Sequence, residues 1–207
     1  FCFCLINRLQ AQSILPPVYE IKTDTALRQN IDIQYWQVLE DKEGDWTIDN
    51  VSKLPLSGKF HFDPDNEPGK DTIINTRWFR YRLKNMTGRE IKIGLSALTE
   101  ESTFYLLQQD SSWISLNSGY FIPWEKKDGL KFCSCIPVAL KPDEELLMYQ
   151  RINNRFFYVA EPFDISFVNI DKIIRDWYVD FLDNKGESFF NEKRMLSFFM
   201  GFLFFAS

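Results

Sequence analysis

The chain has 207 residues, an aromatic content of 16% and a formal net charge of −5. This length provides for one domain of ordinary size with flanking segments. The acidic residues are spread along the chain, so the charge implies neither nucleic acid nor an anionic membrane surface as a partner. Because the first residue is Phe rather than Met and the last residues stop within an apolar run, we expect a fragment of a longer protein.

The N-terminal residues 1–12 are predicted to be the remnant of a signal peptide. An apolar stub leads to the small residue Ala11, which precedes Gln12 as a small residue precedes a signal-peptidase cut. A buried N-terminal strand is the alternative interpretation. Cleavage would remove the two N-terminal cysteines and leave residues 13–30 as a linker before the folded domain.

The segment 76–85 alternates strictly and predicts a strand. One face is apolar and suits a core: Phe79, Tyr81 and Leu83. The other face carries an indole and a row of cations: Trp78, Arg80, Arg82 and Lys84. This cationic face is interpreted either as a solvated sheet surface or as a ligand surface. A turn over 85–88 and renewed alternation over 90–97 predict that the strand belongs to a hairpin at the centre of the domain.

Further short strands are predicted between turn signals that recur every ten or so residues. They are residues 31–38, 59–62, 103–107, 113–116, 131–140, 146–152 and 163–168. Residues 46–54 are predicted to be irregular or a single helical turn. Many short strands without intervening helices are typical of an antiparallel β-sandwich, which we place at residues 31–169.

Cys133 and Cys135 lie two residues apart in the predicted strand 131–140. Their side chains would share one face with Cα atoms about 7 Å apart, at the edge of what a disulfide spans. A zinc ion would need further ligands, and the only histidine is His61. Two packed thiols are therefore the favoured interpretation.

The sequence predicts no catalytic residues, no cofactor and no metal site. A catalytic triad would have to use His61, which lies between two phenylalanines in a predicted strand, and no phosphate-binding loop is present. The acidic loop 63–71 resembles the start of a calcium loop, but Pro68 and Ile74 stand where an EF-hand needs Gly and Glu. A solvated turn is the default interpretation, and calcium binding by this loop is left open.

Beyond Asn169 the apolar spacing becomes helical, so residues 170–194 are predicted to be a juxtamembrane helix and linker. Residues 195–207 contain no charge and many phenylalanines, which favours the truncated start of a membrane-spanning helix over a packing helix. Lys193 and Arg194 would by themselves place this end in the cytoplasm, in conflict with an exported domain. A domain of this size normally follows its signal peptide.

The order of these elements resembles the extracellular domain of the bacterial seven-transmembrane receptors with diverse intracellular signalling modules (DISM). Strand 78–85 resembles that family's "tryptophan, apolar, arginine … asparagine" strand, and Trp113 its "glycine-x-tryptophan" position, with serines in place of the glycine. Four further segments continue the likeness in the family's order: residues 102–107, 119–123, 136–142 and 147–152. A membrane helix bearing a glycine, here Gly201, follows. The long segment 170–194 departs from the family pattern.

The resemblance implies a jelly-roll-like sandwich, similar to carbohydrate-binding modules, that senses a small-molecule or carbohydrate ligand. It implies localisation at the cell membrane, with residues 13–194 periplasmic or extracellular and attachment through the C-terminal helix. A homodimer of the full-length receptor is compatible with it. The output module, often a histidine kinase or nucleotide cyclase, would lie beyond this chain, so the chain itself is predicted not to be an enzyme. The alternatives are a secreted or anchored carbohydrate-binding module without signalling and, third, a sandwich-fold glycan hydrolase.

A carbohydrate site is expected to combine aromatic rings, which contact the apolar faces of sugars, with planar donors to hydroxyls. The predicted ligand-binding residues supply both kinds of group: Trp78, Arg80, Arg82, Trp113, Tyr120, Trp124, Tyr149 and Arg151. In the competing account Trp78 fills the core and the arginines pair with surface acids such as Glu90.

Overall fold

The computed structural model describes residues 15–62, 76–108, 110–154 and 165–183. The chain divides into two compact units at the junction of Asn169 and Ile170. Three predicted features lie outside the described residues, namely the signal-peptide remnant 1–12, the acidic loop 63–71 and the membrane-helix start 195–207.

The first unit is built from two sheets. The first sheet has six strands: β1 (Val18–Ile21), β3 (Trp36–Asp41), β4 (Thr76–Asn85), β6 (Glu101–Leu107), β7 (Trp113–Ser118) and β9 (Glu145–Asn153). Its order is β1-β4-β9-β6-β7, and β3 pairs with the first part of β4 on the edge that β1 occupies further along. Only the β1–β4 pairing is parallel among these ladders.

The second sheet has four strands: β2 (Arg28–Asn30), β5 (Ile91–Ser96), β8 (Cys135–Leu140) and β10 (Ser166–Asn169). They are antiparallel in the order β2-β10-β5-β8. Besides short 3₁₀ turns, the helices among the described residues are α1 (Ile48–Val51) and, in the second unit, α2 (Ile170–Asp183). The prediction of an all-β sandwich is confirmed for the first unit. The helix α2 lies within the predicted juxtamembrane segment, whose place beside a membrane stays a prediction.

The main core lies between the two sheets. The apolar face of β4 points into it as predicted, with Phe79, Tyr81 and Leu83 almost fully buried. The second sheet contributes facing residues from three of its strands: Ile91, Ile93, Leu95, Ile136, Leu140 and Phe167. Burying one such side chain contributes about 1.5–3 kcal/mol, so this layer is the main source of the sandwich's stability.

A second apolar cluster lies on the outer face of the first sheet. Residues 46–60, here named the covering segment, contain α1 and a 3₁₀ turn over Leu56–Lys59. The segment packs Val51 and Phe60 against Leu39, Trp78 and Tyr149 of the sheet. The first sheet is therefore buried on both faces in this region. This explains why β3, with Trp36 to Leu39 all buried, does not alternate as predicted for residues 31–38.

The predicted hairpin between β4 and the next strand is wrong, because β4 and β5 belong to different sheets. The fully buried side chain of Asn85 holds the crossover. Its amide nitrogen donates to the carbonyl oxygens of Arg89, Leu140 and Lys141 at 2.7–3.0 Å, and its oxygen accepts the backbone N–H of Thr87. The chain does bend after Asn85, at residues 87–89, but Asn85 also binds the carbonyl oxygens of Leu140 and Lys141 at the end of a strand of the other sheet.

Four other boundaries differ from the sequence predictions. In the strand predicted over 31–38, residues 33–35 form a 3₁₀ turn and β3 begins only at Trp36, and the strand predicted over 59–62 is reduced to a bridge at His61. The linker predicted over 13–30 contributes β1 and β2. The strand predicted over 131–140 begins as a 3₁₀ turn, Lys131–Cys133, and becomes β8 only after Ser134, which is left-handed at φ 47°. Cys133 and Cys135 are both free, as predicted, but they flank a corner instead of sharing one strand.

Candidate ligand-binding site

Three of the eight predicted ligand-binding residues lie beneath the covering segment. Trp78, Arg80 and Tyr149 are 0%, 1% and 3% exposed. The indole N–H of Trp78 donates to Asp41 Oδ2 at 3.2 Å, and its ring stacks on Tyr105 with centroids 5.4 Å apart. The expectation that this face of β4 is exposed is therefore wrong at Trp78 and Arg80, because the covering segment lies over them.

Arg80 is enclosed with its charge compensated by polar contacts. Its Nε donates to Gln37 Oε1 at 2.7 Å and its Nη1 to the carbonyl oxygen of Ser57 at 3.0 Å. The guanidinium lies 4.4 Å from the centroid of Phe60, in a cation–π contact with the covering segment. Burial lowers the pKa of Arg80 from its ordinary value, and nearby Tyr149 opposes that shift. Arg80 therefore links the first sheet to the covering segment.

The carboxylate of Asp41 organises the turn that leads into the covering segment. Fully buried, it accepts the backbone N–H groups of Gly44 at 2.8 Å and Trp46 at 3.1 Å, in addition to the indole of Trp78. Arg151 closes the turn from the other side by donating to the carbonyl oxygen of Gly44 at 2.8 Å. The turn is thus fixed by charged and polar groups on three strands of the first sheet.

Arg151 and Arg82 differ in how their donors are used. The guanidinium of Arg151 lies 6.0 Å from the centroid of Trp78, and its buried Nε has no hydrogen-bond partner among the described residues. Arg82 pairs with Glu145, with Nη2 and Oε1 2.6 Å apart, rather than with Glu90 as the competing account suggested. Arg82 remains partly accessible, so its charge is available at the surface.

The three remaining aromatic residues of the predicted site occupy two places. Trp113, partly exposed on β7, meets the ring of Tyr149 edge-on at 5.4 Å. Tyr120 and Trp124 are 52% and 57% exposed on the connection between β7 and β8, where Lys131 lies 6.0 Å from the Trp124 centroid. Across the described ranges, no recorded contact joins these two rings to Trp78 or Arg151. Ligand contact by the eight predicted residues stays a prediction.

A groove that the sequence did not indicate lies at the edge of β3. It has a volume of about 330 Å³ and is lined by Leu39, Glu40, Lys42, Glu43, Trp46, Lys59 and His61. Backbone pairing builds its wall, since Val38 N donates to His61 O at 2.8 Å and His61 N to Val38 O at 3.1 Å. Among the lining residues, Leu39 belongs to the second cluster and Trp46 packs against it.

The groove combines the two kinds of groups that a polar organic ligand requires. The indole of Trp46 is a partly exposed apolar surface, and exposed polar side chains surround it: Lys42, Glu43, Lys59 and His61. Its volume is at the lower end of the range for small-molecule sites, about 300–1,000 Å³. Carboxylates can accept from hydroxyls and ammonium groups can donate to them. No group of three or more His, Cys, Asp or Glu residues in the described part of the chain could hold a metal ion.

Sequence reasoning missed this groove because its residues are brought together by the covering segment. Trp46 lies fifteen positions before His61, and only His61 belongs to a predicted strand. The available signal was a lone indole between acidic and polar residues, followed by the only histidine of the chain.

The fold is a β-sandwich domain whose candidate site lies on the outer face of one sheet. A family model described as "7TMR-DISM extracellular 2" matches residues 33–160, more than half of the chain. The chain belongs to this family of extracellular domains, as the sequence motifs predicted. A comparison with curated proteins found no match.

The family places the matched residues outside the cell, in a receptor class named for its membrane spans. In the described part of the chain, no helix is both long and apolar enough to cross a membrane. The span predicted at 195–207 lies outside that part.

Proposed function

We propose that this chain is the extracytoplasmic ligand-sensing domain of a bacterial transmembrane signalling receptor. The observation that carries the proposal is the family match over residues 33–160. The output module, a histidine kinase or similar enzyme, would belong to another part of the full-length receptor, and membrane attachment would use residues 195–207. The sensing domain would then act without catalysing a reaction itself.

We further propose that the ligand is a carbohydrate and that the sandwich is a jelly-roll-like relative of carbohydrate-binding modules. The groove at β3 supports this choice. Its indole can pack against the apolar face of a sugar ring, while Glu43, Lys59 and His61 bind hydroxyl groups. The buried Trp78, Arg80 and Tyr149 then form the foundation of the site and not its surface.

Groove variants and loop variants distinguish this site from the one predicted by sequence. The full 207-residue chain is screened against an array of soluble oligosaccharides, and hits are titrated calorimetrically. Lys59→Ala with His61→Ala should weaken binding at least tenfold, because two exposed donors are lost at about 1 kcal/mol each and about 1.4 kcal/mol corresponds to a factor of ten. Tyr120→Ala with Trp124→Ala, also at exposed positions, is the matched control and should bind with unchanged affinity.

The outcomes separate the parts of the proposal. A loss of binding confined to Tyr120→Ala with Trp124→Ala would place the ligand at the connection between β7 and β8. An array without a single bound oligosaccharide would reject the carbohydrate, while leaving the family and its extracellular location intact.

A further inference from the structure

The corner between Lys131 and β8 brings two sulfur atoms together. Cys133 ends the 3₁₀ turn, Cys135 begins β8, and the left-handed Ser134 between them reverses the chain direction. The Sγ atoms are 2.9 Å apart, although both thiols are free. A disulfide bond is about 2.05 Å long, so closing the pair requires an approach of about 0.9 Å.

The backbone around the pair is fixed from several sides. Leu130 N donates to Cys135 O at 2.9 Å, and Cys135 N returns a bond to Leu130 O at 3.4 Å. The carbonyl oxygen of Ser134 accepts the N–H of Ala97 at 2.9 Å, which anchors the corner to the neighbouring loop. The short distance between the sulfur atoms is therefore held by the fold, and bond formation requires little backbone movement.

The two thiols have different environments. Cys133 is partly exposed, beside the exposed Phe132, whereas Cys135 is 1% exposed. The hydrogen bond from Cys135 lowers the pKa of Cys133, and the same contact together with burial raises the pKa of Cys135. A partly exposed thiol with a lowered pKa next to a buried partner is the arrangement of an attacking and a resolving cysteine.

We propose that Cys133 and Cys135 form a thiol–disulfide exchange site for small-molecule disulfides of the cystine and oxidised-glutathione class. This proposal rests on the extracellular location of the family, where disulfides form and persist. It does not depend on the carbohydrate or on the groove.

The reaction balances in two steps. The Cys133 thiolate attacks one sulfur of the external disulfide, whose S–S bond breaks as a mixed disulfide forms, and the first small thiol leaves as a thiolate that takes up the Cys133 proton. Cys135 then gives up its proton and attacks the Cys133 sulfur, releasing the second small thiol. The protein dithiol is oxidised by two electrons and the external disulfide is reduced to two thiols.

The test follows the tryptic peptide that contains both cysteines, residues 132–151, which separates the pair from Cys2 and Cys4. The reduced full chain is incubated with oxidised glutathione under native conditions and the remaining thiols are alkylated. After digestion with trypsin, the mass of the peptide is measured by mass spectrometry. The expected product is two hydrogens lighter and carries no alkyl groups. A peptide alkylated at both cysteines, from a chain whose near-ultraviolet circular dichroism is native, would overturn the proposal.

Single variants assign the roles of the two thiols. Cys135→Ser should accumulate a stable glutathione adduct on Cys133, because the resolving thiol is missing. Cys133→Ser should stay unmodified at Cys135 until the protein is unfolded in denaturant. No adduct on native Cys135→Ser would show that these are merely packed thiols. Equal adduct yields on both native variants would refute the division into an attacking and a resolving cysteine.

Discussion

Arg80 and Arg82 are neighbours on one face of β4, yet their environments assign them opposite roles. Arg80 lies beneath the covering segment, bonded to Gln37 and the Ser57 carbonyl, whereas Arg82 pairs with Glu145 near the surface. Loss of a buried charge leaves its partners unsatisfied in a medium from which water is excluded. Loss of an exposed ion pair lets water replace it.

The two arginines should therefore separate in a stability experiment. We expect Arg80→Ala to lower the free energy of unfolding by about 3 kcal/mol, because two acceptors and the Phe60 contact lose their partner. Arg82→Ala should cost under about 1 kcal/mol. Urea unfolding of each single variant measures the difference. Equal losses would mean that the covering segment does not enclose Arg80 in solution.

From sequence alone, Arg80 and Arg82 were predicted to share one exposed face, either as ligand-binding residues or in pairs with surface acids. Alternation along β4 correctly predicted which side chains share a face. The alternation could not predict whether solvent or another segment covers that face, because the sequence pattern of the strand is the same in both cases.

At the level of elements, the sequence correctly predicted strands that bury one face. The prediction was wrong where contacts between residues distant in sequence determine the structure. β4, β6, β7 and β9 lie near their predicted positions. The continuous burial of β3 and the crossover at Asn85 depend on residues far away in sequence, such as Leu140. The corner at Ser134 has no local signal either, since a non-glycine residue in the left-handed region is uncommon.

Two glycines offer a matched test of that corner. Gly129 and Gly88 have φ angles of +71° and +76°, so alanine imposes a similar backbone strain of about 1 kcal/mol at each. A Cβ on Gly129 would lie 2.4 Å from the Cys135 carbonyl oxygen, whereas one on Gly88 meets nothing within 4 Å.

We therefore expect Gly129→Ala to be more destabilising than Gly88→Ala by at least about 1 kcal/mol, because overlap with a backbone oxygen forces a shift. Thermal unfolding of both variants provides the measurement. A Gly129→Ala protein as stable as Gly88→Ala would show that the turn into β8 adjusts freely.

For the whole molecule, family membership predicts on which side of the membrane the domain lies, and reporter fusions can test this prediction. The mature chain is predicted to begin at Gln12 or a neighbour, with residues 30–168 outside the cytoplasm. Alkaline phosphatase fused after Asn169 should be active, since it folds only after export, and a cytoplasmic reporter fused there should be inactive. The reverse pattern would reject the receptor proposal.

The edges of the first sheet bear on how copies of this domain can associate. His61 pairs with Val38 on the outer edge of β3, and Asp128 binds both backbone groups of Asn117 on β7, at 2.7 Å each. An occupied edge cannot serve as a template for a strand from another molecule, which is the usual route to uncontrolled aggregation. At these positions, two copies can therefore contact each other only through side chains and not by joining their sheets. A bound ligand can alter such side-chain contacts without breaking backbone hydrogen bonds between the copies.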